Sequence, residues 1–345
     1  MKVEEGALIR FLVVALPAGL LVLGVGAMLF THLDPEERNA DPNEAVRLEA
    51  ASLNRRPVTR EDLERNLEIL AGQIGERNVR RPEALEQAAL WIESSIGGAN
   101  LGYRVERQEY TVDDVDVRNL VAELPGTTRR DEIVVIGAHY DTVPGCPGAN
   151  DNGTGVVSLL SLAKAFAGDP QERTIRFVAF VNEEPPYFHT EQMGSMVYAR
   201  RCRSRRDDIV AMLALETIGY FSDEPGSQEV PPGLTGAFPD TGNFLAFVGD
   251  RRSRFLADSA VTAFEFASGI PALGGGFPAE VPGVAWSDHW SFWQHDYPGV
   301  MVTDTAPYRY PHYHEPTDTV DKIDFEKLTR AVRGIESVIR VWANP

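Results

Sequence analysis

Cysteine is almost absent: Cys146 and Cys202 are the only two in 345 residues. That excludes a disulfide scaffold and every Cys-x-x-Cys zinc motif. The pair leaves room for one disulfide, if the domain lies outside the cytoplasm, or for two unpaired thiols. Positive charge is also scarce. Lys and Arg total 33 against 51 Asp and Glu, a formal net charge of −18. The chain therefore lacks the basic surface that nucleic acid requires. An acidic surface serves solubility, and it also draws cations such as metal ions or a substrate ammonium group. No internal repeat is found and no lipobox cysteine. At 43% hydrophobic and 24% charged, the remainder is an ordinary globular mixture, long enough for a large core.

One long apolar run stands out. Phe11 to Phe30 carries no charge and is rich in Leu, Val, Ala and Gly, about the 20 residues that a bilayer-spanning helix needs. Pro17 lies inside it, which membrane helices tolerate. Lys2 and Arg10 precede it, with Glu4 and Glu5 diluting the positive-inside signal. The rival reading is a cleaved signal peptide, but no clean Ala-x-Ala site follows. The expected organisation is an N-terminal transmembrane anchor over 1–31, a charged stalk over 32–58 and one globular domain over 59–345. Both readings place that domain across a membrane, in the periplasm or outside the cell.

Beyond the stalk, Thr59 followed by Asp62 reads as a helix N-cap, with Leu63, Leu67 and Leu70 at helical spacing. A second helix is predicted from Pro82, burying Leu85, Ala89 and Ile92. Strands are predicted at Tyr103–Val112, Asn119–Leu124, Ile133–Ala138, Ile175–Val181, Val210–Leu215, Phe244–Val248 and Val300–Thr303. Helices are predicted at Gly153–Phe166, Ser195–Arg203, from the Phe244 strand's end to about Phe266, at Asp288–Trp293 and at Phe325–Val341. Strands alternating with helices indicate an α/β domain with a largely parallel or mixed sheet. Glycine and proline gather between Asp223 and Gly283, which predicts long loops holding one strand–helix pair.

Candidate chemistry sits just past strand ends, where such sheets display function. Ile133-Val-Val-Ile-Gly-Ala ends in His139-Tyr-Asp141. In an extended segment His139 and Asp141 share a face, so Asp141 can hold the second ring nitrogen of a ligand histidine. Alone, His-x-Asp fits a structural histidine as well. Asp151 lies in a Gly-rich turn that opens a helix, which suits an N-cap or a carboxylate bridging two metals. Ile175-Arg-Phe-Val-Ala-Phe-Val ends in Asn182-Glu183-Glu184. Two acids after a buried strand are costly unless one binds metal or both reach solvent. One can bind metal while its neighbour acts as general base. Glu216 ends the apolar Met212-Leu-Ala-Leu run and needs a partner, a metal or a cation. His314 heads a turn-rich segment. Together these give two histidines, three carboxylates and one spare acid, a nitrogen and oxygen set that suits a catalytic zinc site.

The order of these segments strongly resembles the co-catalytic zinc exopeptidases of the aminopeptidase Y, bacterial leucyl aminopeptidase and glutamate carboxypeptidase II family. The matching segments are Gly137-Ala-His139-Tyr-Asp141, Gly148-Ala-Asn-Asp151-Asn-Gly-Thr-Gly155, Asn182-Glu183-Glu184, Gly194-Ser195, Leu215-Glu216-Thr-Ile-Gly219-Tyr, Ser287-Asp288-His289 and His314-Glu-Pro-Thr-Asp318-Thr. The resemblance implies a three-layer α/β/α zinc-peptidase domain with a central, mixed, mostly parallel twisted sheet. It implies two Zn2+ ions, one on His139 and Glu216, the other on Glu184 and His314, with Asp151 bridging. Glu183 becomes the general base, Asp141 the residue orienting His139, and Ser287 or nearby backbone a group polarising the substrate carbonyl. The implied reaction is peptide hydrolysis at the N-terminus by metal-activated water. Two departures stand out. Relatives often carry Asp at the position of Glu216, and the Pro185–Met193 stretch is longer than in many of them, so the residue preference does not transfer. The same scaffold also hosts single-zinc glutaminyl cyclases and metal-free receptor ectodomains like that of the transferrin receptor.

Overall fold

The computed structural model describes residues 56–230 and 239–345. The expected anchor and all but the end of the stalk lie outside the described residues. Among the described residues, no helix is long and apolar enough to cross a membrane.

Thr59 caps the first helix, α1 (Arg60–Leu67), its side chain accepting from the Asp62 N–H at 3.2 Å. Acidic Glu61 and Asp62 occupy the first turn, where the helix dipole favours them. The chain continues through a wider π-helical stretch, Glu68–Ile74. Pro82 starts α2 (Pro82–Ile96), needing no N–H at the first helical position. Strands β1 (Val105–Val112) and β2 (Val115–Leu124) form a hairpin turned by Asp113 and Asp114, both at positive φ. There follow β3 (Arg129–His139), α3 (Gly155–Phe166), β4 (Arg173–Phe180), α4 (Gly194–Arg205) and β5 (Asp208–Glu216). The last part holds β6 (Leu245–Gly249), α5 (Arg254–Ser268), β7 (Ala272–Gly276), α6 (His289–Trp293), β8 (Gly299–Thr303) and α7 (Phe325–Ala343).

The eight strands form one mixed sheet in the order β1-β2-β4-β3-β5-β8-β6-β7. Its centre is parallel: β4, β3, β5 and β8 run the same way. Antiparallel pairings join β2 to β4 and β6 to β8. Successive residues of β3 point to opposite faces. Val134 and Ile136 pack with Leu63, Ile92, Leu159, Phe264 and Ile335 of the helices on one side. Val135 packs with Tyr198 of α4 and Phe292 of α6 on the other. With both faces covered, the central strands are continuous apolar runs, which is why they were readable in the sequence.

The sequence reading omits β7. Ala272-Leu-Gly-Gly-Gly has almost no intrinsic strand preference; it pairs along the sheet's edge with β6, and α5 closes over it. The region from 223 to 283 thus holds strand, helix and strand. Cys146 and Cys202 are both buried free thiols, so the disulfide alternative is not realised.

Arg77, which the sequence reading did not single out, is fully buried. Its guanidinium donates to the carbonyls of Tyr140 (2.6 Å), Pro147 (2.7 Å), Gly75 (3.0 Å) and Gly148 (3.1 Å). Burial draws its pKa down to about 10, so it stays a cation at neutral pH. It ties the start of the β3–α3 loop to its middle from behind. Arg77→Met is expected to lower unfolding free energy by about 3 kcal/mol, because it strands buried carbonyls. Denaturant unfolding followed by circular dichroism measures this.

Candidate metal centre

The four central parallel strands deliver the site at or beyond their carboxyl ends, the place where open α/β sheets bind ligands. His139 is the last residue of β3 and Glu216 the last of β5. Glu183 and Glu184 follow β4, Asp151 lies in the β3–α3 loop, and His314 follows β8. All are buried except His314, which is partly exposed.

The loop that carries Asp151 is fastened on every side. Asn152 donates to the Leu215 carbonyl at 2.7 Å and accepts from the N–H groups of Gly155 and Thr217. Asn150 donates to Asp304 at 2.9 Å and accepts from the Gly219 N–H. Asp318 accepts from the N–H groups of Asn150 (2.8 Å) and Asp151 (3.0 Å) and from the Tyr310 hydroxyl (2.7 Å). Gly155 is required here, since a Cβ would lie 2.3 Å from Asn152 Oδ1 and 2.6 Å from the Leu215 oxygen. Asn182, Thr217 and His314 all hold positive φ. For a β-branched residue such as Thr217 that is a strained conformation, and such strain gathers at functional sites.

Asp151 faces both imidazoles. Its Oδ1 lies 3.5 Å from His139 Nε2, and its Oδ2 lies 3.0 Å from His314 Nε2. Glu216 Oε2 is 3.4 Å from His139 Nε2, and Glu184 Oε2 is 3.4 Å from His314 Nε2. His139, Asp151 and Glu216 form one group able to hold a metal ion, Asp151, Glu184 and His314 a second, and His139, Glu183 and Glu184 a third. Glu183 Oε2 lies 3.8 Å from His139 Nε2.

These atoms fit metal ions on two grounds. In a tetrahedron with bonds of about 2.0–2.1 Å, ligand atoms sit roughly 3.3 Å apart, close to the separations seen. Moreover, buried His314 Nε2 makes no hydrogen bond despite its closeness to Asp151. A buried nitrogen with no hydrogen bond, facing two carboxylate oxygens, is placed to take an ion. Without a cation the acids are electrostatically costly. Burial raises Glu183 well above the usual carboxylate range, and Glu184, Glu216 and Asp288 add to this. Burial and Asp151 push Glu184 up to about 7. A bound dication reverses that balance.

Asp141 Oδ1 sits 3.6 Å from His139 Nδ1. Its two oxygens accept from the backbone N–H groups of Glu183 and Glu184, each at 3.1 Å. It therefore links the β3 and β4 ends as well as facing the histidine. Ser287 requires a correction. Its buried hydroxyl donates to Glu216 Oε2 at 2.7 Å, so it braces the carboxylate that is one methylene longer than Asp and is not free for a substrate carbonyl. Tyr310 is likewise committed, to Asp318. Tyr313 stacks on the His314 ring at 3.9 Å. The sequence reading passed over Asp304, although it follows the end of β8, the same signal that exposed the other acids.

Two pockets adjoin the centre. One, of about 720 Å3 with its open mouth included, lies against Glu216 and Tyr313 and is walled by Val248, Phe277, Val284, Trp286, Met301 and Tyr308. The other lies against Asp141 and Glu184. The Pro185–Met193 loop is pinned at both ends of this region. The Tyr187 hydroxyl donates to Asp113 at 2.7 Å, and His189 stacks between Phe188 and Trp290, each at 3.9 Å.

The sequence model of Peptidase family M28 matches residues 119–339. The Escherichia coli (strain K12) protein named Uncharacterized protein YfbL is 32% identical over 293 residues, covering 82% of this chain and 88% of that protein. The chain belongs to peptidase family M28. It is a metal-dependent peptidase, as the order of its motifs implied. The Probable leucine aminopeptidase of Arthroderma otae is 26% identical over 258 residues, which span 70% of this chain and 62% of that protein. The crystal structure of the Legionella pneumophila aminopeptidase LapA shares the fold, with a TM-score of 0.66 at 18% identity over 84% of this chain and 73% of that one.

Proposed function

We propose that this M28 peptidase is an aminopeptidase working with two zinc ions. The observation that carries the reading is the placement of Asp151, whose two oxygens face two different imidazoles, each with its own further carboxylate. In this reading His139 and Glu216 hold one ion, Glu184 and His314 the other, and Asp151 both. Zinc bound there would supply Lewis acidity, acidifying a water and polarising the scissile carbonyl. Glu183, beside the ligand group, accepts the proton of the attacking water and passes it to the departing amine. Its carboxylate, 3.8 Å from His139 Nε2, is placed to hold that proton in between. Asp141 keeps the His139 ring and the Glu183–Glu184 backbone in register. The surplus of carboxylates favours a substrate with a free ammonium group, and the apolar pocket beside Glu216 takes the side chain of the residue removed. Leucyl or phenylalanyl p-nitroanilide should therefore be cleaved far faster than the N-acetylated compounds. Equal rates on both would remove the N-terminal specificity, and cyclisation of N-terminal glutamine peptides would favour a cyclase instead.

Ser287 gives a graded test of the ligand set. Ser287→Ala is expected to weaken metal binding about tenfold, as loss of a ligand's supporting hydrogen bond does. Competition with a chelating dye reads this directly, and unchanged affinity would show that Glu216 needs no brace.

We further propose that residues 1–31 anchor the enzyme in a membrane with its catalytic unit on the extracytoplasmic side. The support is the uncharged Phe11–Phe30 run alone. Alkaline extraction of membranes should leave the full-length chain in the pellet; a shortened chain in the soluble fraction would indicate a cleaved leader.

A further inference from the structure

The pocket on the Glu184 side carries one cation, Arg80. Its backbone is held by the chain around it. The Arg80 N–H donates to Asn78 Oδ1 at 3.0 Å, and Asn78 Nδ2 donates to the Thr142 carbonyl at 3.1 Å. Thr142 in turn exchanges bonds with Arg77: its N–H donates to the Arg77 carbonyl at 2.9 Å, and its hydroxyl accepts the Arg77 N–H at 3.1 Å. The segment 77–80 is thereby clamped to the residue that follows Asp141. Arg81 pairs with Glu76 at 3.5 Å. The exposed Arg80 guanidinium has no hydrogen bond or ion pair with any described residue.

The pocket's other charged groups are acids already in use. Asp113 accepts from Tyr187, Asp141 accepts two backbone N–H groups, and Glu184 faces His314. In a chain of net charge −18, such a pocket repels anions unless one cation is held ready for them.

We propose that this pocket receives the residue on the leaving side of the scissile bond and that Arg80 pairs with a carboxylate on it. The inference rests on the aminopeptidase reading and deepens it. With the first residue's side chain in the apolar pocket beside Glu216, a peptide crossing the centre brings its second residue to the Glu184 side. A guanidinium there matches a carboxylate with two parallel hydrogen bonds. The carboxylate has two sources: the chain terminus of a dipeptide, or the side chain of an acidic second residue.

The test compares kcat/KM for Leu-Gly with Leu-Gly-amide, and for Leu-Glu-amide with Leu-Gln-amide, in the full chain and in Arg80→Met and Arg80→Glu. The exposed position of Arg80 leaves folding intact. The natural protein is expected to favour the carboxylate member of one pair by roughly two- to fivefold, the worth of a solvent-exposed charge pair. Arg80→Met should collapse that ratio and Arg80→Glu should invert it. Collapse in the first pair assigns the chain terminus, and collapse in the second assigns the acidic side chain. Leucyl p-nitroanilide cleavage with no preference in either pair, or a preference that survives both substitutions, overturns the Arg80 assignment alone. Failure to release leucine from any of these substrates overturns the aminopeptidase reading and this one with it.

Discussion

Glu183→Gln is expected to keep its full complement of metal and to lose about a thousandfold in kcat, within the range for a positioned general base. That loss corresponds to about 4 kcal/mol of barrier. Glu183 is buried beside His139 at 3.8 Å, yet the two groups that share Asp151 are complete without it. Its carboxylate lies beside the ligand atoms, so it can carry a proton between attack and departure. Glutamine preserves size and hydrogen bonding and removes only that capacity. KM should change little, since the ligand groups that meet the substrate remain. Near-normal turnover in the variant would assign the base elsewhere, with Asp288, a buried acid that acts on Glu183 and lies outside the ligand groups, the next to consider.

Asp151→Asn is expected to have the largest effect of all, because one substitution touches both ligand groups. The amide presents an oxygen to one imidazole and an NH2 to the other, where a second ligand oxygen is needed. The backbone frame around it should survive. Asp318 accepts from the Asp151 main chain, and Asn150 and Asn152 bind β5 and Asp304 through their own side chains. The protein should therefore fold, retain at most one ion with weakened affinity, and lose at least about a thousandfold in activity, as single members of a concerted site do. Metal analysis beside circular dichroism separates this from unfolding. Retention of two ions would remove Asp151 from the bridging position.

Much of this site was legible because each chemical group interrupts or ends an apolar run. His139, Glu184 and Glu216 lie at or just beyond the ends of strands that are buried on both faces, where a polar residue stands out against its neighbours. The paired acids Glu183 and Glu184 pointed to a division of roles for the same reason. What stayed hidden depends on contacts between distant segments. Arg77 meets Tyr140, Pro147 and Gly148 across more than 60 positions, and nothing in Gly75-Glu-Arg-Asn marks it. Ser287 braces Glu216 from 71 residues away, so its motif was visible while its direction was not. Strand β7 has the sequence of a loop and is a strand only because β6 and α5 close over it.

The Ser287 hydroxyl restricts the Glu216 side chain, which is one methylene longer than aspartate and freer to move. The longer Pro185–Met193 loop acts on the other side of the centre, where Tyr187 joins the β1–β2 turn and walls the pocket that holds Arg80.

The central claim is that five residues, with Asp151 shared, hold two ions. Zinc content of the purified, zinc-dialysed full chain measures it most directly, by mass spectrometry of the metal alongside activity during stepwise reloading of chelator-treated protein. The account predicts two zinc ions per chain, and activity that falls with removal and returns with reloading. A saturated content of one ion per chain with full activity would contradict it.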